Sequence, residues 1–75
     1  MQTSLDRVCL GEEVTVIEVA LPEALESRLM DFGLVPGTKV CCRYRSPGGQ
    51  VTAFWCRGAV IAMRTRDMCG IRVKS

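Results

Sequence analysis

Apolar positions along this chain change their spacing several times, and each change marks an element. In "EEVTVIEVA" (12–20) the spacing is two: Val14 and Val16 share one face, and Thr15, Ile17 and Val19 the other. Apolar groups on both faces predict a strand covered on both sides, or one that bulges midway. "LPEALESRLMDFG" (21–33) then switches to helical spacing. Leu21, Leu25, Leu29 and Phe32 recur at i, i+4, i+8 and i+11 and build one apolar stripe. Pro22 suits a first helical turn, where its missing N–H is no loss, and Glu23 and Glu26 favour the positive end of the helix dipole. Gly33 fits the left-handed position just past a helix end, with Leu34 folding back on the last turn. Pro36 and Gly37 then fit the two central positions of a type II turn, so the chain passes from helix to strand almost without slack.

The second half reads as strands. In "TKVCCRYRS" (38–46), Val40, Cys42 and Tyr44 alternate with Lys39, Cys41, Arg43 and Arg45, which predicts one apolar and one basic face. "SPGGQ" is a loop, and "VTAFWC" and "AVIAMR" are two further strands separated by a tight corner at Gly58. "TRDM" fits a short helical turn, and "GIRVKS" closes the chain with Ile71 and Val73 opposite Arg72 and Lys74. The sum is a mostly β chain of about five strands with a helix inserted after the first, forming a single domain over residues 1–75. Twisted strands in so short a chain hide their edges best by curling up, so the expected architecture is a small SH3-like β-barrel with the helix over one end or seam.

Composition supports a packed core: 48% of the 75 residues are hydrophobic, although only four are aromatic, so aliphatic side chains must fill most of it. A net charge of +2, with basic residues scattered through the second half, gives no reason to expect a nucleic-acid partner. No apolar run approaches the ~18–20 residues of a membrane span, and the first residues lack the pattern of a signal peptide. The expected location is the cytoplasm, without direct membrane insertion. Five cysteines cannot all pair, no C-x-x-C occurs and histidine is absent, which removes disulfide frameworks and the common zinc spacings. Cys41 and Cys42, adjacent on a strand, would point to opposite faces. The cysteines read as small hydrophobes, and no metal or cofactor is expected.

Catalysis finds little to work with. Without histidine, the usual general base and the usual partner of a Ser or Cys nucleophile are missing. Glu12, Glu13, Asp31 and Asp67 read as solvated, and the glycines form no phosphate-binding motif. A binding module is the expected class, not an enzyme. Met30 falls roughly 140° from Leu25 around the helix, well off the apolar stripe. It is either an ordinary exposed apolar residue or part of a contact surface, where an adaptable thioether is useful. Leu29, at the edge of the stripe, could serve both core and partner.

"SRLMDFGLVPGTKV" (27–40) resembles the signature of the FeoA family, which runs basic–Leu–apolar–x–apolar–Gly–apolar–x–Pro–Gly–x–x–Val. The segment "RSPGGQVTAFWCRGAVIAMRTRDMCGIRV" (45–73) is similar to the family's loop, its glycine-led strand ending in arginine, and its closing strand. Gly33, Pro36, Gly37, Gly58 and Arg64 fall on the fixed points of that pattern. The loop "SPGGQV" departs from the leucine and Asp-Pro the family usually carries, and Cys41, Cys42, Cys56 and Cys69 lie outside the pattern. The resemblance implies an SH3-like barrel in the bacterial cytosol. It implies a partner, FeoB, the membrane permease with a cytosolic GTPase domain, which this chain would bind and support or regulate in ferrous iron uptake. Leu29, Met30, Arg43 and Arg45 are the expected partner-binding residues, with weak self-association left open. Two alternatives stand beside this reading: a free-standing regulatory module related to the C-terminal domain of iron-dependent repressors, and a cysteine-based metal-binding protein.

Overall fold

A computed structural model describes residues 2–75. Along the described residues run β1 (Gln2–Ser4), a 3₁₀ turn (Leu5–Arg7), β2 (Glu13–Val19), α1 (Glu23–Asp31), β3 (Lys39–Arg45), β4 (Val51–Cys56), β5 (Ala59–Arg64), a second 3₁₀ segment (Thr65–Gly70) and β6 (Ile71–Lys74). The six strands form one antiparallel sheet in the order β1-β6-β2-β3-β4-β5.

Two expectations are corrected here. The sheet has six strands rather than about five, so α1 follows the second strand and not the first. The extra strand, "QTS", has no apolar alternation of its own. It exists because β6, from the far end of the chain, offers it a ladder from Gln2↔Lys74 to Ser4↔Arg72. The sheet also stays open: among the described residues no pairing joins β1 to β5, so the SH3-like barrel is not formed. A three-residue edge strand presents too little ladder for the tilted closure that a barrel requires.

Inward-facing side chains of this sheet make the core. Val16, Val40, Phe54, Ile71 and Val73 lie fully buried together with Leu5 and Met68 from the two 3₁₀ segments. Of the two alternatives for the first strand read from the sequence, covered on both sides or bulged midway, β2 shows a bulge: its register against β6 shifts between Val16 and Glu18. A second bulge in β3 was not anticipated. The pairing with β4 shifts between Cys42 and Tyr44, making Arg43 an extra residue and reversing the faces beyond it. Tyr44 therefore points outward, 56% exposed, while Arg45 turns in opposite the buried Thr52. The alternation read from the sequence is thus broken midway through the strand.

Candidate functional site

The corner after α1 is held by hydrogen bonds that its sequence anticipates. Gly33 takes φ +89°, and its N–H donates to the Met30 carbonyl at 2.9 Å while the Leu34 N–H donates to the Leu29 carbonyl at 3.1 Å. Those two bonds are the Schellman stop, and Leu34 is buried behind it. The Thr38 N–H closes the Pro36–Gly37 turn onto the Val35 carbonyl at 3.1 Å. That turn is then tied to β2: the Gly37 N–H donates to the Val16 carbonyl at 2.7 Å, and the Val16 N–H to the Thr38 carbonyl at 2.8 Å. The Thr38 hydroxyl donates to the Gly33 carbonyl at 2.9 Å.

On its other side the corner meets the β4–β5 hairpin. Arg57 (φ +51°) and Gly58 (φ +86°) both adopt positive φ between the paired Cys56 and Ala59. This is the two-residue turn whose twist matches its strands, and it is the tight corner expected at Gly58. The Arg57 side chain lies over Gly33 so closely that a Cβ there would stand 2.5 Å from Arg57 Cδ. The Cys56 thiol also makes a weak 3.9 Å contact to the Phe32 carbonyl. Helix end, turn and hairpin therefore pack together as one unit.

That unit presents apolar surface. Met30 is 54% exposed and Phe32 52%. Phe32 belonged to the buried stripe in the sequence reading, but α1 ends at Asp31 and Phe32 is the capping residue, at φ −89°, ψ 0°, so it leaves the helical face. Leu29 is 4% exposed and packs in the core, while Leu21 and Leu25 are only partly covered. Between α1 and β5 runs a cleft of about 360 Å³. Leu25 and Phe32 line it from the helix side, Val60 and Ala62 from β5, with Arg28, Arg64 and Asp67 around them. Val60 is the most exposed large apolar side chain among the described residues, at 67%. Val60 is not among the expected contact residues, although "AVIAMR" carries the signal: Val60 and Ala62 alternate with the buried Ile61 and Met63.

The expected basic face of β3 is divided. Arg43 is exposed at the bulge, whereas Arg45 is half-buried, its Nε donating to Thr52 Oγ1 at 3.0 Å and its Nη2 to the Val8 carbonyl at 3.4 Å. Thr52 Oγ1 in turn shares a 2.7 Å hydrogen bond with Thr65 Oγ1. Leu29 and Met30 thus sit on α1 and Arg43 and Arg45 on β3, with no hydrogen bond joining the two pairs among the described residues. Arg64 lies at the cleft.

Potential chemistry elsewhere is dispersed. The five cysteines are free: Cys42 and Cys56 are buried, Cys9 and Cys69 exposed, Cys41 between. Burial raises the Cys42 thiol above its ordinary value, with Arg45 pulling the other way and Cys41 and Glu12 adding to the rise. Burial likewise raises Cys56, against the pull of Arg57. Among the described residues no three His, Cys, Asp or Glu side chains are grouped to hold a metal ion. A larger notch of about 550 Å³ opens between the β3–β4 loop and Arg64–Arg66, but no acid or nucleophile beyond Thr65 lines it. Among the described residues no helix is long and apolar enough to cross a membrane.

Fold and surface together define a small antiparallel β module with a single helix and an apolar, arginine-flanked cleft between that helix and β5. The chain belongs to the FeoA family, small accessory proteins associated with iron uptake: the FeoA domain model matches residues 3–75. Solved structures agree. A FeoA protein from Chlorobium tepidum is 33% identical with a TM-score of 0.92, over 96% of this chain and 69% of that one. A FeoA-like protein from Clostridium acetobutylicum is 26% identical with a TM-score of 0.83, over 97% of this chain and 85% of that one. Iron(II) transport protein A from Clostridium thermocellum, at 22% identity, shares the fold with a TM-score of 0.88, over 96% of this chain and 44% of that one. No curated protein matches the chain.

Proposed function

We propose that this chain is a cytosolic accessory protein of ferrous iron uptake that acts by binding the cytosolic portion of the FeoB GTPase-permease. Iron is the cargo of the permease in this reading, and this chain carries no chemistry of its own. It supports or regulates its partner by docking a preformed surface. The observation that carries the reading, beside family membership, is the exposed Met30 next to a corner locked by main-chain hydrogen bonds. A main chain already fixed by hydrogen bonds has little backbone entropy left to lose on binding, and methionine adapts its shape to a partner surface. Arg43, exposed at the β3 bulge, supplies a basic contact, while Leu29 and Arg45 act from beneath by holding Met30 and the strand in place.

Pull-down of the cytosolic portion of FeoB tests this directly. Met30→Asp places a charge on a contact surface that buries apolar area, and binding is expected to fall about ten-fold or more. Circular dichroism of the variant should match the parent, because the side chain is more than half exposed and lies outside the buried core. Undiminished capture by the folded variant would exclude Met30 from the partner surface.

A further inference from the structure

The edge of β5 is unprotected. Register from Val51↔Arg64 to Cys56↔Ala59 is continuous, without a bulge, and the strand contains no proline, no lysine and no charge before Arg64. Proteins ordinarily blunt a free edge with such features, since its unpaired N–H and C=O groups invite another strand. The two-residue turn fixes which groups are free. Cys56 and Ala59 close the hairpin as a hydrogen-bonded pair, so pairs alternate from there, and the N–H and C=O groups of Val60, Ala62 and Arg64 point away from β4. The Thr65 N–H donating to the Gln50 carbonyl at 2.9 Å continues the same alternation. β5 is a terminal strand of the sheet, and its outer side opens into the cleft beneath α1.

We infer that the cleft between α1 and β5 takes an extended, acidic-apolar peptide segment of a protein partner, which adds to β5 as a seventh strand. Three features select this occupant. Free edge groups at every second residue bind a main chain in extended form, and a helix cannot use them. A helix wall with Leu25 and Phe32 on one side and the exposed Val60 and Ala62 on the other suit the alternating side chains of a strand. Charge sets the sign: Arg28 and Arg64 line the cleft against the single acid Asp67, so carboxylates on the segment are favoured and basic residues are not. The inference rests on reading the chain as a partner-binding module. It names a way of binding independent of which protein provides the segment.

The test uses the intact protein and a phage-displayed library of random short peptides, with no FeoB present, so its result is separate from that of the pull-down. Enriched sequences should alternate apolar residues with Asp or Glu. A synthetic peptide of the enriched sequence should slow hydrogen exchange at the amides of Val60, Ala62 and Arg64. Ala62→Pro removes one outward N–H without touching the β4 ladder, and Arg64→Glu reverses a charge. Each should weaken the peptide about ten-fold or more, with amide spectra outside β5 unchanged. Failure to enrich any sequence, enrichment of neutral or basic ones, or protection at other amides would overturn the inference. So would protection of the same three amides that arises without peptide and grows with protein concentration, which would make a second copy of the chain the occupant.

Discussion

Gly70→Ala is the substitution whose sign the structure decides. Gly70 is the one glycine among the described residues without positive φ, so alanine meets no backbone strain there. By chain entropy alone the change should stabilise by about 0.4–1 kcal/mol, because it narrows the unfolded ensemble. Space reverses that expectation. A Cβ at Gly70 would drive into the Ala20 carbonyl oxygen, and it would lie 2.9 Å from Leu21 Cδ2 and 3.3 Å from the Ala20 carbonyl carbon. The obstacle is main chain, which cannot swing aside as the Arg57 side chain can over Gly33. Relief requires β2 and β6 to part where the Ala20 N–H donates to the Gly70 carbonyl at 2.7 Å, next to the Val19↔Ile71 pair. Overpacking of about 1–3 kcal/mol and a weakened hydrogen bond of about 1 kcal/mol together give a loss of roughly 2–4 kcal/mol. That is a large part of the roughly 4–11 kcal/mol expected of a chain this size, and corresponds to a fall in Tm of about 10–25 °C. Urea and thermal unfolding read it directly. An unchanged or raised Tm would refute the argument, since it would show that the β2–β6 approach can widen freely.

Two further outcomes are expected. Thr52→Val keeps the volume of a fully buried side chain but strips the oxygen that receives Arg45 Nε and meets Thr65 Oγ1, so unfolding in urea should show a loss of about 1–2 kcal/mol, and equal stability would mean that solvent replaces both partners. Burial keeps Cys42 and Cys56 protonated in the folded chain above the ordinary thiol value of 9.0. The unfolded chain therefore gives up these protons first as pH rises. The stability they confer is complete below about pH 8 and is lost as pH climbs through 9 and beyond. The urea midpoint should fall over that range less steeply in C42A/C56A than in the parent, and parallel profiles would contradict the assignment.

Local rules carried far in this chain. Gly33, the Pro36–Gly37 turn and Gly58 all adopt the conformations their residue types require, because positive φ and preset φ are properties of single residues. The strands β2 to β6 were legible from their apolar patterns and the turn residues between them, and the exposure of Met30 from its angle on the helix. Tertiary structure decided the rest. β1 has no pattern of its own and depends on a partner strand some seventy residues away. The β3 bulge turned Tyr44 out and Arg45 in, because one extra residue reverses every face beyond it while leaving composition untouched. The early end of α1 freed Phe32 from the core. Whether the sheet would close, and so whether β5 would keep a bare edge facing α1, depends on how all the strands stack at once. A sequence specifies which groups seek burial. The three-dimensional order of the strands specifies which backbone groups are left over, and here those lie along Val60, Ala62 and Arg64.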